Sequence, residues 1–562
     1  MTFVLTTALS QQSSGWPEWG HDSQHTGTVS VAGQNLNHVL ADIVYDPFVP
    51  QEKAPVNGDG DLLVHYQTPL VDGNDVYMEF KSGTYTSMAT WESQTWNEKK
   101  LSWVGGSLVE QWNFASDWKP VPNGSPTWEP VFHATLAGNF VYVPGAGGTV
   151  YKVSKATGAM LAQYNAIGPD IDHNIFETGP ITADSAGNIY YNVLKLNLSN
   201  PWGKDVIGAW LVKVTASGTV SSAAFQDIMT GELQKNDPCE VGFSTPPPWP
   251  PTPTAVAPTT PCGSVRPGIN VAPAVAPDGT IYTIARNHFV TRYGYVVAVN
   301  SNLTPKWTAS MHGILNDGCN VQIPPNGTPG GCSVGATTGV APDTNSRPSG
   351  RILDDSSSSP VVAPDGSVIY GSYTRYNYAQ GELLRFSSTG QFLASYIFGW
   401  DDTPAIYSHG GTFSIVTKDN HYGGVGSYCN DDTVCPPDRN ASNPGYPEQY
   451  FVTQLSPSMG VEWRYQNTNT LSCTRNPDNS ITCVSDHPSG FEWCVNAPAI
   501  DSAGVVYANS EDGNLFAINQ GGTLKQKIFQ QLAIGAAYTP ASIGGDGKLY
   551  SQNDGHLYVV GN

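Results

Sequence analysis

Short apolar runs broken by tight polar turns recur along the whole chain, and each second run closes on an aromatic residue. The clearest copies are Pro273-Ala274-Val275, Asp278-Gly279, Thr280-Ile281-Tyr282 and Pro360-Val361-Val362, Asp365-Gly366, Val368-Ile369-Tyr370. Others start at Pro69, Pro180, Pro404, Pro498 and Pro540, with a degenerate one at Pro130. Such runs with Asp-Gly between them predict β-hairpins, because a tight turn that follows the twist of its strands needs positive φ. Two further runs follow most hairpins. Gly148 to Val153, the Ala156-Thr157-Gly158 turn and Ala159 to Tyr164 form one pair; Asp512 to Asn519, Gly521-Gly522 and Thr523 to Lys525 form another. No stretch shows the apolar period of a long helix, and no apolar run is long enough to span a bilayer.

A four-stranded unit repeated at roughly 40 residues or more predicts a β-propeller. The hairpins place eight blades, beginning near residues 68, 129, 178, 271, 358, 402, 496 and 538. The last blade has three strands before the chain ends. Its outer strand is expected upstream, from Leu40 to Phe48, which would close the ring and leave no free edge between first and last blades. The third-strand pattern, as in Gly148-Thr149-Val150-Tyr151 and Asp512-Gly513-Asn514-Leu515-Phe516, closely resembles the repeat of the PQQ-like propellers. That superfamily includes the quinoprotein alcohol dehydrogenases and a propeller lipoprotein of outer-membrane assembly. The opening Trp16-Pro17-Glu18-Trp19-Gly20-His21-Asp22 to Gly27 is also similar to a segment common in that group. The resemblance implies an all-β fold, a single eight-bladed propeller over 16–562, and it speaks to fold far more than to function. Residues 1–15 are expected to be a residual export signal or a disordered tail.

Connections from second to third strand, and from each blade to the next, emerge on one face. That face takes the long insertions, roughly 81–107, 194–208 and 419–448 within blades and 228–270, 312–357 and 467–495 between them. The opposite face keeps only tight turns. Nine cysteines fall in sequence-local pairs, Cys239/Cys262, Cys319/Cys332, Cys429/Cys435 and Cys473/Cys483, with Cys494 left over. Local pairing is one option among many connectivities, and it would staple the insertions in an oxidising compartment. There is no Cys-x-x-Cys-His for haem attachment. The formal net charge of -21 repels a polyanion, so nucleic acid is a poor partner.

Residues just before the innermost strands should ring the mouth of the central channel: Trp128, Glu129 and His133; Asp170, Asp172, His173 and Glu177; Arg266 and Asn270; Asp354, Asp355 and Ser356; Asp401 and Asp402; Glu492, Trp493 and Asn496; and Tyr538. Paired carboxylates beside a His could hold calcium or run acid/base chemistry on a sugar. His173, Glu177, His133, Asp402 and Glu492 are the acid/base candidates. Trp128, Glu129, Asp172, Arg266, Asn270, Asp355, Trp493, Asn496 and Tyr538 are the ligand contacts. Singly, each could instead cap a turn. Trp91, Trp96, Trp103, Trp202, Trp249, Tyr422, Tyr428 and Trp493 offer ring faces to sugars or peptides. Cys494 could be a nucleophile beside Glu492 and His487, or a buried structural thiol.

The leading expectation is an exported propeller, secreted or periplasmic and monomeric, that binds an extracellular glycan or protein on its decorated face. A carbohydrate-active lyase or hydrolase at the mouth is the alternative, and a divergent quinoprotein oxidoreductase the third. No cofactor is expected. Calcium remains open, and PQQ is disfavoured because the chain has no adjacent cysteine pair and no match to the calcium ligands or catalytic Asp of quinoproteins.

Overall fold

A computed structural model describes residues 15–562, apart from 54–62, 65–66, 87–91, 123–127, 130–131, 247–248, 317, 320, 322–331, 355, 357, 375–379, 400–401, 422–447, 477 and 533–538. It also leaves the side chains of residues 53, 63–64, 128–129 and 380 undescribed. Eight antiparallel sheets form a propeller ring. The innermost strands are Leu70–Asp72, Thr135–Ala137, Thr182–Ala183, Ala274–Val275, Val361–Val362, Ala405–His409, Ala499–Ile500 and Ser542–Ile543. Each begins just after the repeat's proline, whose missing N–H is tolerated at a strand start. Blade two departs from the expected start near 129. Its innermost strand opens at Thr135, and Ala134 takes the place the proline holds elsewhere.

The closing strand is His38–Val44, two residues earlier than the sequence pattern placed it, and it pairs antiparallel with His556–Gly561. Blade one is also less interrupted than expected. Its second and third strands, Asp75–Gly83 and Gln94–Val104, take up most of the predicted 81–107 insertion. Alternate residues of that hairpin face neighbouring blades; Trp96 and Met78 are buried there rather than looping out. The insertion after Lys195 and the three between blades stand where expected. Most of the insertion after His421 lies outside the described residues.

Residues 16–34 run round the inside of the ring and bond to every blade in turn. Trp16 and Val71 exchange backbone hydrogen bonds; Leu136 N–H donates to Pro17 O; Ala183 N–H donates to the Glu18 carboxyl. Val275, Val362, Ile406 and Ile500 then donate to the carbonyls of Ser23, Gln24, Thr26 and Gly27, and Gln34 N–H donates to Gly547 O. This strap satisfies the inward edges of innermost strands, which would otherwise be left unpaired. From it Trp19 projects onto the channel axis, packed on Ala272 of blade four and Ala497 of blade seven and edge-on to His133 of blade two.

One step toward the decorated face, the residues preceding the innermost strands bond from blade to blade. Ala134 N–H donates to Gln67 Oε1 (2.9 Å), Ala272 N–H to Ser359 Oγ (2.9 Å) and Ser359 N–H to Thr403 Oγ1 (2.9 Å). Thr403 N–H donates to Asn496 O, Asn270 N–H to Thr178 O, and Gln552 Nε2 to Gln67 O. The strap and this polar belt together fix the blades' spacing around the axis.

Candidate functional site

Of the described mouth residues named by the sequence, most are buried rather than open to solvent. Glu177 is buried, accepting from Gly179 N–H and Trp118 Nε1, and burial pushes its carboxyl well above the usual range. His133 is fully buried with Nδ1 against Ala134 O, and burial lowers it to about 3. A carbonyl only accepts, so His133 Nδ1 carries the proton and the ring is neutral. Asn270 and Asn496 are buried in the belt. Asp172 pairs with Lys195 (2.7 Å) at the rim, next to the exposed His173.

Arg266 is also buried, and it forms a structural knot. Its guanidinium forks onto Asp354 (2.8 and 2.5 Å), its Nε donates to His288 Nδ1, and Arg286 adds a second cation to Asp354 (3.1 Å). Despite burial, those two cations hold Asp354 far below the usual carboxylate range. Trp202, expected as an open platform, packs against both Arg266 and His288 and donates its N–H to Pro122 O. Trp96 and Trp493 are core residues, and Trp103 donates to Tyr550 Oη. Trp249 is half-buried and bonds to Thr245 O. The side chains of Trp128 and Glu129, and Asp355, Asp401, Tyr538, Trp91, Tyr422 and Tyr428, lie outside the described residues.

The structure brings Glu492, Cys494 and Glu511 together where blades six and seven meet the decorated face, whereas the Asp402 carboxylate is bound within blade six. Asp402 Oδ2 accepts from Thr417 Oγ1 (3.0 Å) and Lys418 N–H (3.1 Å). Asn420 grips the Trp493 peptide from both sides (3.1 Å each), and Ser510 Oγ and Glu511 N–H both donate to Glu492 O. Donor atoms of Glu492, Cys494 and Glu511 lie within 4.8 Å of one another. Burial, then Glu511 and Glu492, push the Cys494 thiol well up, while Lys418 opposes them. A thiol held protonated is a poor nucleophile at neutral pH. As a donor set, two carboxylates and a thiol suit a borderline cation such as zinc better than hard, oxygen-seeking calcium.

Lys418, Asn420 and Glu511 were not foreseen from sequence. Lys418 and Asn420 sit two apart on one strand, so a period-two reading of 412–421 could have put them on one face. Nothing in the sequence marks Glu511. Three disulfides join Cys239 to Cys262, Cys319 to Cys332 and Cys473 to Cys483; Cys429 and Cys435 lie outside the described residues, and Cys494 is free and buried. Among the described residues no helix is long and apolar enough to cross a membrane.

Ring, closing strand and blade repeat together define a PQQ-like, eight-bladed propeller. Two of the solved structures that share it illustrate the likeness. One is a europium-containing methanol dehydrogenase, with TM-score 0.52 and 11% identity over 96% of this chain and 89% of that one. The other is the quinohemoprotein alcohol dehydrogenase of Comamonas testosteroni, with TM-score 0.50 and 11% identity over 98% and 81%. No family model and no curated protein matches the sequence. At such identity the likeness is one of fold. Trp19 fills the axis, the belt side chains bond one another, and the three described disulfides belong to surface insertions.

Proposed function

We propose that the protein is an exported, monomeric binding or scaffold propeller, secreted or periplasmic, whose decorated face takes an extracellular glycan or protein. The asymmetry between its faces carries this reading. One face is trimmed to tight turns and backed by the strap; the other holds the long insertions and the three described disulfides. A rigid scaffold with elaborated loops on one side is the usual arrangement of a binding surface. The disulfide hairpin Leu471–Arg475 and Ile481–Ser485 supports it, since it leaves Leu471, Ile481 and Val484 exposed. Isolated two-stranded hairpins are marginal in water, and the Cys473–Cys483 bridge holds this one in shape.

A catalytic reading would rest on Glu492 and Glu511, mouth carboxylates whose oxygens approach within 4.8 Å. The two readings separate on Glu492→Gln. A scaffold keeps its partner, whereas a hydrolase or lyase loses turnover by orders of magnitude. The test is immobilised full-length protein probed with an oligosaccharide array and with the extracellular proteins of its source. Retention of a glycan or protein that Ser-for-Cys replacement at Cys473 and Cys483 weakens supports the decorated face. Retention of nothing, with turnover of a polysaccharide, replaces the scaffold by the enzyme.

A further inference from the structure

Between blade three and the 228–270 insertion, on the decorated face, lies a cleft of about 350 Å³. One wall is apolar: Ile207, largely exposed, and the half-buried indole of Trp210. Gly208 is what lets that indole lie so close. A Cβ there would come within 2.2 Å of Trp210 Cη2, so any larger residue would force the ring away. The other wall is polar: the amides of Gln226 and Gln234, the hydroxyl of Ser264 and the ammonium of Lys235.

The hydrogen-bonding state of those groups defines what could enter. Gln226 is exposed and makes no hydrogen bond to another described residue. Gln234 spends its Nε2 on the Met229 and Glu232 carbonyls, which turns its Oε1 into the free acceptor. Asp205, just behind the cleft, accepts from Ser264 Oγ and N–H (2.8 Å each) and pairs with Lys235 (2.9 Å). The carboxylate offsets the ammonium, so the cleft carries no net charge. An apolar ring face opposite donors and acceptors of no net charge matches a pyranose, with its C–H face on the indole and its hydroxyls on the amides.

We propose that this cleft is a subsite for an uncharged pyranose unit of an extracellular glycan. The inference rests on the glycan branch of the function proposed above. Trp210 supplies the stacking surface, Gln226 and Gln234 read the ring hydroxyls, and the Asp205–Lys235–Ser264 knot holds the floor.

Calorimetric titration of the full chain with cellohexaose, laminarihexaose, xylohexaose and chitohexaose tests it, with tryptophan fluorescence followed in parallel. The expected result is binding of at least one of them with a change in fluorescence. Trp210→Ala should then weaken it by about tenfold, Trp210→Phe should retain most of it, and Gln226→Ala should weaken it several-fold. Gln226 is on the surface, so its variant reports on the cleft even where Trp210→Ala lowers the melting temperature. A wild type that binds a hexasaccharide, with Trp210→Ala and Gln226→Ala both equally tight, overturns the subsite and leaves the glycan reading standing. A wild type that binds none of the four overturns the subsite together with the glycan reading.

Discussion

Replacing Glu98 by Gln should flatten the pH dependence of stability on the alkaline side of pH 5. Glu98 is fully buried in blade one, where its Oε1 accepts from Gln67 Nε2 (3.1 Å) and no cation among the described residues pairs with it. Burial raises its carboxyl from the ordinary 4.5 to about 8. The unfolded chain therefore releases this proton near pH 4.5, while the folded chain keeps it to about pH 8. Between those limits the unfolded state binds fewer protons, so stability falls as pH rises, by about 1.4 kcal/mol per unit. Above the folded value the slope from this group vanishes. The whole window amounts to several kcal/mol, a large share of what holds a domain together. Glutamine reproduces the protonated acid in shape and keeps the acceptor for Gln67, but has no proton to lose. Urea unfolding midpoints of wild type and Glu98→Gln at intervals from pH 5 to pH 9 read the effect. The variant should gain on the wild type steadily up to about pH 8 and then run parallel to it. Parallel curves throughout would refute the reasoning and mean that water or a cation reaches the carboxylate.

Three further outcomes follow from the packing. Trp19→Ala removes the indole from the channel axis and should cost about 3–5 kcal/mol, read as a lower melting temperature and faster proteolysis ahead of His38. Asp354→Asn strands Arg266 and Arg286 without their shared anion and should also cost about 3–5 kcal/mol near neutral pH. Because Asp354 is held far below the usual range, its contribution is present above the unfolded value near 3.8 and fades as pH falls through the folded one. The wild-type advantage over Asp354→Asn should therefore shrink in acid. Replacing Cys473 and Cys483 together by Ser should leave the global melting temperature almost unchanged, because the hairpin meets the ring at its outer edge, through Arg475 on Phe529 and Gln531, yet open its turn to protease.

Backbone architecture was legible because it is written locally. A proline at a strand start, an Asp-Gly turn and an aromatic strand end each act within a few residues, and eight copies reinforce one another. The missing outer strand followed from edge protection alone. Side-chain destinations were harder. Glu177, His133 and Asp402 precede innermost strands as polar residues should at an open mouth, but the strands converge so closely there that all three are buried, Glu177 on Trp118, His133 on Ala134 O and Trp19, and Asp402 on Thr417 and Lys418. Burial then changes their chemistry, and burial depends on the whole ring. The strap was legible only as a familiar opening segment. It docks mainly through backbone N–H and C=O groups, which leave no periodic trace in the side chains. Lys418, Asn420 and Glu511 meet Glu492 and Cys494 across two blades, a contact no local pattern encodes.

That strap works as a ruler. From Trp16 to Gln34 it meets blades one to eight in the order in which the chain makes them, and it ends where the last blade begins its outer half. An extra blade would find no carbonyl waiting for it, and a missing one would leave a stretch of strap with nothing to hold. Blade number is therefore set twice, once by the repeats and once by the segment that tallies them. Drift in the repeats could erase much of their mutual likeness without letting the count change. A lineage built this way can vary its outer loops widely and still close on eight.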